Sequence, residues 1–345
     1  MKLGLVGLGY ICVAQHTPAL MKYAREVAPI DFALCDPSAE RRAEWQERFG
    51  KYPAYASADE MLDCEKLDAA YVLVPPEATC EVAEKFLLAG IPTFTEKPPG
   101  LNGSETERLI RAAEVTVHAV GFNRRFSPLI RRMKEIAIAE ETGPALLAAC
   151  EFTRVGRYDP DFTTTLIHGL DALRYLGGDL AALSARTILR EGPSALSAGS
   201  KGKRPYRSYV IHGAFASGAL MEIRCFPVSG HTVERYTLLA RDLTVRTCLP
   251  GMGDAGEVAV YREGKLAERY SEADLGLSGA PECVRFGFYD QARRFLDAVR
   301  SPEASRPGLG GPAGTTFQET LQSMEVADFL RTCGETGEWR AKTAG

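Results

Sequence analysis

Leu3-Gly4-Leu5-Val6-Gly7-Leu8-Gly9-Tyr10-Ile11-Cys12 opens with a short apolar run, breaks on two glycines, and continues into residues that favour a helix. A strand over Leu3–Val6, a glycine turn, and a helix from about Ile11 to Ala24 make a pattern suited to a dinucleotide pyrophosphate. Such a group needs backbone N–H donors at a helix N-terminus and no side chains in its way. Gly7 makes the tight turn, and Gly9 lets the backbone approach the phosphates. The third position of the pattern is Cys12 in place of a smaller residue, so helix–strand packing there has to accommodate a thiol. A second apolar run, Ile30–Cys35, ends at Asp36. An acid roughly 20 residues beyond such a turn meets the adenosine ribose hydroxyls. A carboxylate there favours NAD by repelling a 2′-phosphate. Ser38, Arg41 and Arg42 lie just beyond it and leave NADP possible.

Working outward, apolar runs at Ala69–Val74, Thr93–Thr95 and Thr116–Val120 alternate with helical stretches at Ser38–Phe49, Ala78–Ala89 and Ser104–Ala113. That alternation predicts a doubly wound parallel sheet, an α/β domain over residues 1–122. From Ala145 the runs follow one another closely: Ala145–Thr153, Ser208–Ala216, Ala219–Phe226, Val233–Ala240, Leu243–Cys248 and Glu257–Arg262. They predict a large, mainly antiparallel open sheet in an α+β domain over 123–345, covered by helices near Leu166–Leu176, Phe286–Arg300 and Thr316–Arg331. Ser301–Gly314 reads as a loop, and the small, polar Gly192–Arg207 reads as disorder-prone.

The 345 residues are 45% hydrophobic and 25% charged with a net charge of −4, so no basic excess points to nucleic acid. No apolar run reaches the roughly 18 residues of a membrane helix. Gly4, Gly7 and Gly9 interrupt the N-terminal run, and no signal peptide is expected. Nine cysteines without a CxxC pair form no zinc pattern, no metal site is expected, and they suit a reducing cytoplasm.

Thr95-Glu96-Lys97-Pro98-Pro99 follows a predicted strand at the sheet edge where open α/β domains bind ligands. The proline holds Lys97 out of helical geometry. With Gly121-Phe122-Asn123-Arg124-Arg125-Phe126 and the glycine turn, it resembles the Gfo/Idh/MocA family of NAD(P)-dependent sugar and cyclitol oxidoreductases. The resemblance covers nearly the whole chain. It implies a Rossmann domain, and a cofactor held by Gly7, Gly9, Tyr10, Ile11, Asp36, Pro75, Glu96, Lys97 and Asn123. It also implies Lys97 beside the reacting hydroxyl, and His168 as the catalytic histidine. His168 and Asp171, in Thr164-Thr165-Leu166-Ile167-His168-Gly169-Leu170-Asp171, match the last two polar positions of the family's DxGxHxxD segment and share one helix face. The chain departs from that segment at Thr164 and Leu166, and at Thr79, where the family often has histidine.

The chemistry so implied is hydride transfer between a nicotinamide and a CH–OH carbon of a sugar, cyclitol, glycoside or nucleotide-sugar. His168 serves as base and Lys97 polarises the oxygen, while Asp171 and Arg124 are candidate substrate contacts. The altered Thr164 also admits redox-neutral glycoside cleavage through a transient keto sugar. A non-catalytic dinucleotide-binding sensor is the third alternative. Arg154, Arg157 and the run Lys201–Arg207 suit an acidic substrate, although such residues are more often solvated. The resemblance further implies a homodimer or homotetramer.

Overall fold

The protein is described by a computed structural model, which covers residues 1–114, 116–139, 145–157, 161, 163–193, 203–251, 255–301 and 314–341. β1 (Lys2–Val6) runs through the glycine turn into a helix whose first part, Cys12–His16, has π geometry before α1 (Thr17–Glu26) begins. β2 (Asp31–Cys35), α2 (Ala39–Phe49), β3 (Ala54–Tyr55), α3 (Ala58–Cys64), β4 (Ala69–Val72), α4 (Pro76–Leu88), β5 (Thr93–Thr95), α5 (Gly103–Ala112) and β6 (His118–Val120) follow. They build a six-stranded sheet in the order β3-β2-β1-β4-β5-β6, with every pair parallel. All four residues of β4 are buried, as they must be in a central strand covered on both faces. Strand order reverses between β1 and β4, so the carboxyl ends of these strands flank the crevice where such sheets take ligands.

Beyond a 3₁₀ turn at Asn123–Phe126 come α6 (Pro128–Ala139), β7 (Leu147–Thr153), α7 (Thr163–Gly177), β8 (Leu180–Pro193), β9 (Lys203–Phe215) and β10 (Leu220–Phe226). β11 (Val233–Ala240), β12 (Leu243–Cys248), β13 (Glu257–Arg262), β14 (Lys265–Ser271), α8 (Glu282–Arg285), α9 (Phe288–Arg300), α10 (Phe317–Thr332) and β15 (Thr336–Arg340) complete the chain. The second sheet has nine strands in the order β14-β13-β12-β11-β7-β10-β9-β8-β15. Among the described residues of this sheet, only β7 and β10 pair in parallel. The α/β Rossmann domain with a mainly antiparallel open-sheet partner is therefore the fold expected from the sequence.

The division of the chain is not the expected one. One unit comprises Met1–Ser127 with Pro281–Met324, and the other Pro128–Ala280 with Glu325–Gly345. Residues 281–324 thus return to the first unit instead of staying with the second sheet. The cause is apolar burial: Phe288, Ala292, Phe295 and Leu296 of α9 enter the same core as Leu3, Leu5, Tyr23, Tyr71 and Phe94. Phe295 packs edge-on to Tyr71 and Phe94, with centroids 5.5 and 5.8 Å away.

The disorder-prone reading of Gly192–Arg207 is corrected at both ends. Gly192 pairs with Arg204 and Arg190 with Tyr206 in the β8–β9 ladder, while 194–202 lie outside the described residues. The predicted loop Ser301–Gly314 falls almost wholly outside them as well. Among the described residues, no helix is long and apolar enough to cross a membrane.

Candidate functional site

The glycine turn is shaped by its contact with the neighbouring strand's exit. Gly7 has φ +92°, and a Cβ there would lie 2.7 Å from the carbonyl oxygen of Leu73, just after β4. Gly7 N–H donates to the Cys35 carbonyl at 2.8 Å, which ties the turn to the end of β2. A Cβ on Gly9 would meet nothing within 4 Å. That open space lies against the first amides of a helix, which have no intrahelical acceptor, and it suits a pyrophosphate. Tyr10 is 83% exposed beside it, with Ile11 half-buried. Cys12 is fully buried, its Sγ 3.5 Å from Thr17 Oγ1, and burial pushes its thiol up to about 12. It fills the third glycine position as an inert packing group.

Asp36 follows β2 and is 2% exposed. Its Oδ2 accepts Leu8 N–H at 2.9 Å and its Oδ1 accepts Ser38 N–H at 2.9 Å, with Arg41 Nη1 at 3.8 Å. The carboxylate therefore braces the glycine turn, and each oxygen keeps lone-pair capacity for a hydroxyl. These features fit a dinucleotide with an unphosphorylated ribose. Asp36→Ala is expected to raise the Kd for NAD about tenfold to a hundredfold, because charge-assisted hydrogen bonds are worth roughly 1.5–3 kcal/mol. Calorimetric titration measures this, and an unchanged Kd would place the ribose elsewhere.

Glu96 and Lys97 leave the carboxyl end of β5, on the same sheet edge as the glycine turn. Lys97 is half-buried, and its peptide bond to Pro98 is cis. The Glu96 carboxylate is turned inward: Oε1 lies 2.6 Å from His16 Nε2, and Oε2 accepts Lys97 N–H at 3.0 Å. His16 is a residue that sequence reading missed. Its only sequence signal is a histidine on the inner face of the helix that follows the glycine turn.

Other expected cofactor positions are occupied with structural work. Pro75 caps α4, and the buried Thr79 hydroxyl donates back to the Pro75 carbonyl at 3.1 Å, so it takes no histidine-like role. Asn123 is fully buried, and its Nδ2 donates to the Phe286 carbonyl at 2.8 Å, which pins the lead-in to α9. Arg124 donates to Asn123 Oδ1 at 3.2 Å and lies 6.0 Å from the Phe286 ring centroid.

In the second unit, α7 carries His168, 8% exposed, and Asp171, fully buried, one turn apart. Gly169 between them lets α7 approach β7, since a Cβ there would come 3.1 Å from Cys150 Sγ. Thr164 Oγ1 donates to the Asp161 carbonyl at 2.9 Å. The acid nearest to it in sequence, Asp161, is itself spent on Thr163 N–H at 3.1 Å and Arg331 Nε at 3.0 Å. Arg154 is committed as well, with Nη2 2.8 Å from Glu234 and its guanidinium 3.8 Å from the Phe152 centroid. Arg157 reaches Thr165 Oγ1 at 3.4 Å, and Arg207 donates to the Arg331 carbonyl at 3.1 Å. Of the basic run, 201 and 202 lie outside the described residues.

Residues 1–123 match the model of an oxidoreductase family described as an NAD-binding Rossmann fold, Gfo/Idh/MocA. Myo-inositol 2-dehydrogenase of Thermotoga maritima is 27% identical over 199 residues, 52% of this chain, and the match spans about half of that relative, 55%. Inositol 2-dehydrogenase 2 of Saccharopolyspora erythraea is 26% identical over 80% of this chain and 77% of its own length. A crystal structure of a dehydrogenase from Chromobacterium violaceum superimposes with a TM-score of 0.76 at 21% identity, covering 95% of this chain and 93% of that one.

Proposed function

We propose that the chain is an NAD-dependent dehydrogenase of the Gfo/Idh/MocA type, interconverting a hydroxyl and a ketone on a cyclitol or sugar, a reading supported by the match of residues 1–123 to that family's NAD-binding domain. The observation that carries this is the grouping, on one edge of one parallel sheet, of the glycine turn, Asp36 and Lys97. The inositol dehydrogenases among its relatives support a polyhydroxylated ring as substrate.

Gly7, Gly9, Tyr10, Ile11 and Asp36 hold the cofactor, and the Asp36 carboxylate supports NAD over NADP. NAD, when bound, supplies the hydride acceptor for alcohol oxidation. Lys97 donates a hydrogen bond to the reacting oxygen and stabilises the negative charge that develops there. His168 takes the hydroxyl proton as general base. Asp171 orients His168 or binds a neighbouring substrate hydroxyl, and Arg124 lends a further polar contact. Assembly as a homodimer or homotetramer is supported by an apolar cross-strand row on the second sheet, where Leu220 and Leu239 both pair with Leu147.

The test is incubation of the purified chain with NAD and a panel of cyclitols and sugars, myo-inositol first, followed by the absorbance of reduced nicotinamide. Reduction with one substrate class supports the assignment. Tight NAD binding with no reduction by any alcohol, and no oxidation of NADH by the matching ketones, overturns it.

A further inference from the structure

The Glu96 side chain folds back from the end of β5 into a pocket whose walls come from distant parts of the sequence. Its Oε1 faces His16 Nε2 at 2.6 Å, across 80 residues of chain. An ionised carboxylate only accepts, so Nε2 carries the hydrogen and His16 donates. Three rings stand edge-on around the imidazole: Tyr71 at 5.9 Å, Phe94 at 5.5 Å and Phe288 at 5.2 Å between centroids. His16 is 2% exposed and Glu96 8%, so water screens this contact little and the hydrogen bond is correspondingly strong. Space for the carboxylate is left by Gly121, where a Cβ would come 3.1 Å from Glu96 Oε1 and 3.2 Å from Glu96 Cα. The other oxygen, Oε2, accepts the backbone N–H of Lys97 at 3.0 Å.

We propose that His16 is a positioning residue, which acts through the Glu96 carboxylate to fix the main chain of Lys97. The inference rests on the role given to Lys97 under Proposed function. It makes the helix that follows the glycine turn and the lysine of the β5 edge one rigid assembly. Without His16 the carboxylate loses its anchor, its hold on Lys97 N–H loosens, and the ammonium samples more positions. A displacement of about 1 Å in a reacting group costs on the order of a hundredfold in rate.

The test compares wild type with His16→Phe, whose ring suits the aromatic cage but has no donor, and His16→Gln, whose amide restores one. Amide hydrogen exchange in the cofactor-free chain reads the Lys97 N–H directly. The Gly121 N–H, bonded to the Thr95 carbonyl at 2.8 Å, serves as the internal reference. His16→Phe is expected to speed Lys97 exchange about tenfold or more with Gly121 unchanged. It is also expected to lower kcat about tenfold to a hundredfold, with KM for the alcohol within about threefold. His16→Gln recovers most of both. Wild-type exchange at Lys97 in His16→Phe overturns the proposal, as does equal acceleration at Lys97 and Gly121 with no recovery in His16→Gln. Should His16→Phe fail to fold, Glu96→Gln keeps the shape but replaces the charge with an amide. It is expected to speed Lys97 exchange in the same sense, and unchanged exchange there also overturns the proposal. A wild-type chain with no nicotinamide-linked turnover sinks the role given to Lys97, while the exchange comparison still decides whether the clamp exists.

Discussion

Lys97→Ala is expected to lower kcat about 10²- to 10⁴-fold, the usual range for loss of a positioned proton-handling group. The Kd for NAD should stay within about threefold, since the glycine turn and Asp36 are untouched. In the proposed mechanism the ammonium stabilises charge that grows as the oxygen becomes negative, so its removal is expected to fall on kcat and not on binding. Lys97→Arg is not expected to rescue, because a planar guanidinium fork cannot replace a compact ammonium at a single oxygen. His168→Ala should cost a similar factor, and the double variant little more than the worse single one, because groups that act on one proton transfer are not additive. Steady-state kinetics on the substrate found in the screen measures all three. Near-full turnover in both single variants would remove Lys97 and His168 from the mechanism.

Gly7→Ala and Gly9→Ala are expected to fail for different reasons. At Gly7 the added methyl would sit 2.7 Å from the Leu73 carbonyl oxygen and 2.9 Å from Val74 N, both of them backbone atoms. The chain there cannot easily retreat, because β4 is held between β1 and β5. A positive φ of +92° adds left-handed strain for any L side chain, about 1–2 kcal/mol. Together these should cost more than about 3 kcal/mol of unfolding free energy, with NAD binding lost as the turn distorts. At Gly9 the same methyl meets nothing within 4 Å, so stability should change by less than about 0.5 kcal/mol. It would nevertheless stand where a phosphate approaches the helix amides, and NAD affinity should fall sharply. Urea unfolding together with NAD titration separates the two variants. A fully stable Gly7→Ala, or a Gly9→Ala with wild-type affinity, would contradict this account of the turn.

Much of the site was legible because it is local. The glycine turn, Asp36 and Lys97 each lie within a residue or two of a strand end, and strands announce themselves by apolar runs bounded by turn residues. Less regular segments escaped. β3 has only two residues, and β14 and β15 are largely exposed, so their side chains carry no apolar period. β8 reads as a mixed run of Ala, Ser and Arg, and it is a strand because β9 pairs with it along nearly its whole length. The hydrogen bonds of Asn123 and Thr79 escaped for a related reason: residue type alone does not show that an amide is taken by a carbonyl 163 residues away, or a hydroxyl by its own helix.

By itself, then, the sequence determined the alternation of strands and helices, the presence of a dinucleotide turn, and the acid and the lysine on its sheet edge. Backbone sterics and hydrophobic periodicity act over a few residues and need no distant partner. Tertiary structure alone decided that Pro281–Met324 returns to the first sheet, because apolar faces seek whichever core buries them and chain order does not limit the choice. It alone joined His16 to Glu96, since a buried carboxylate requires a donor and only the folded chain shows which one is within reach.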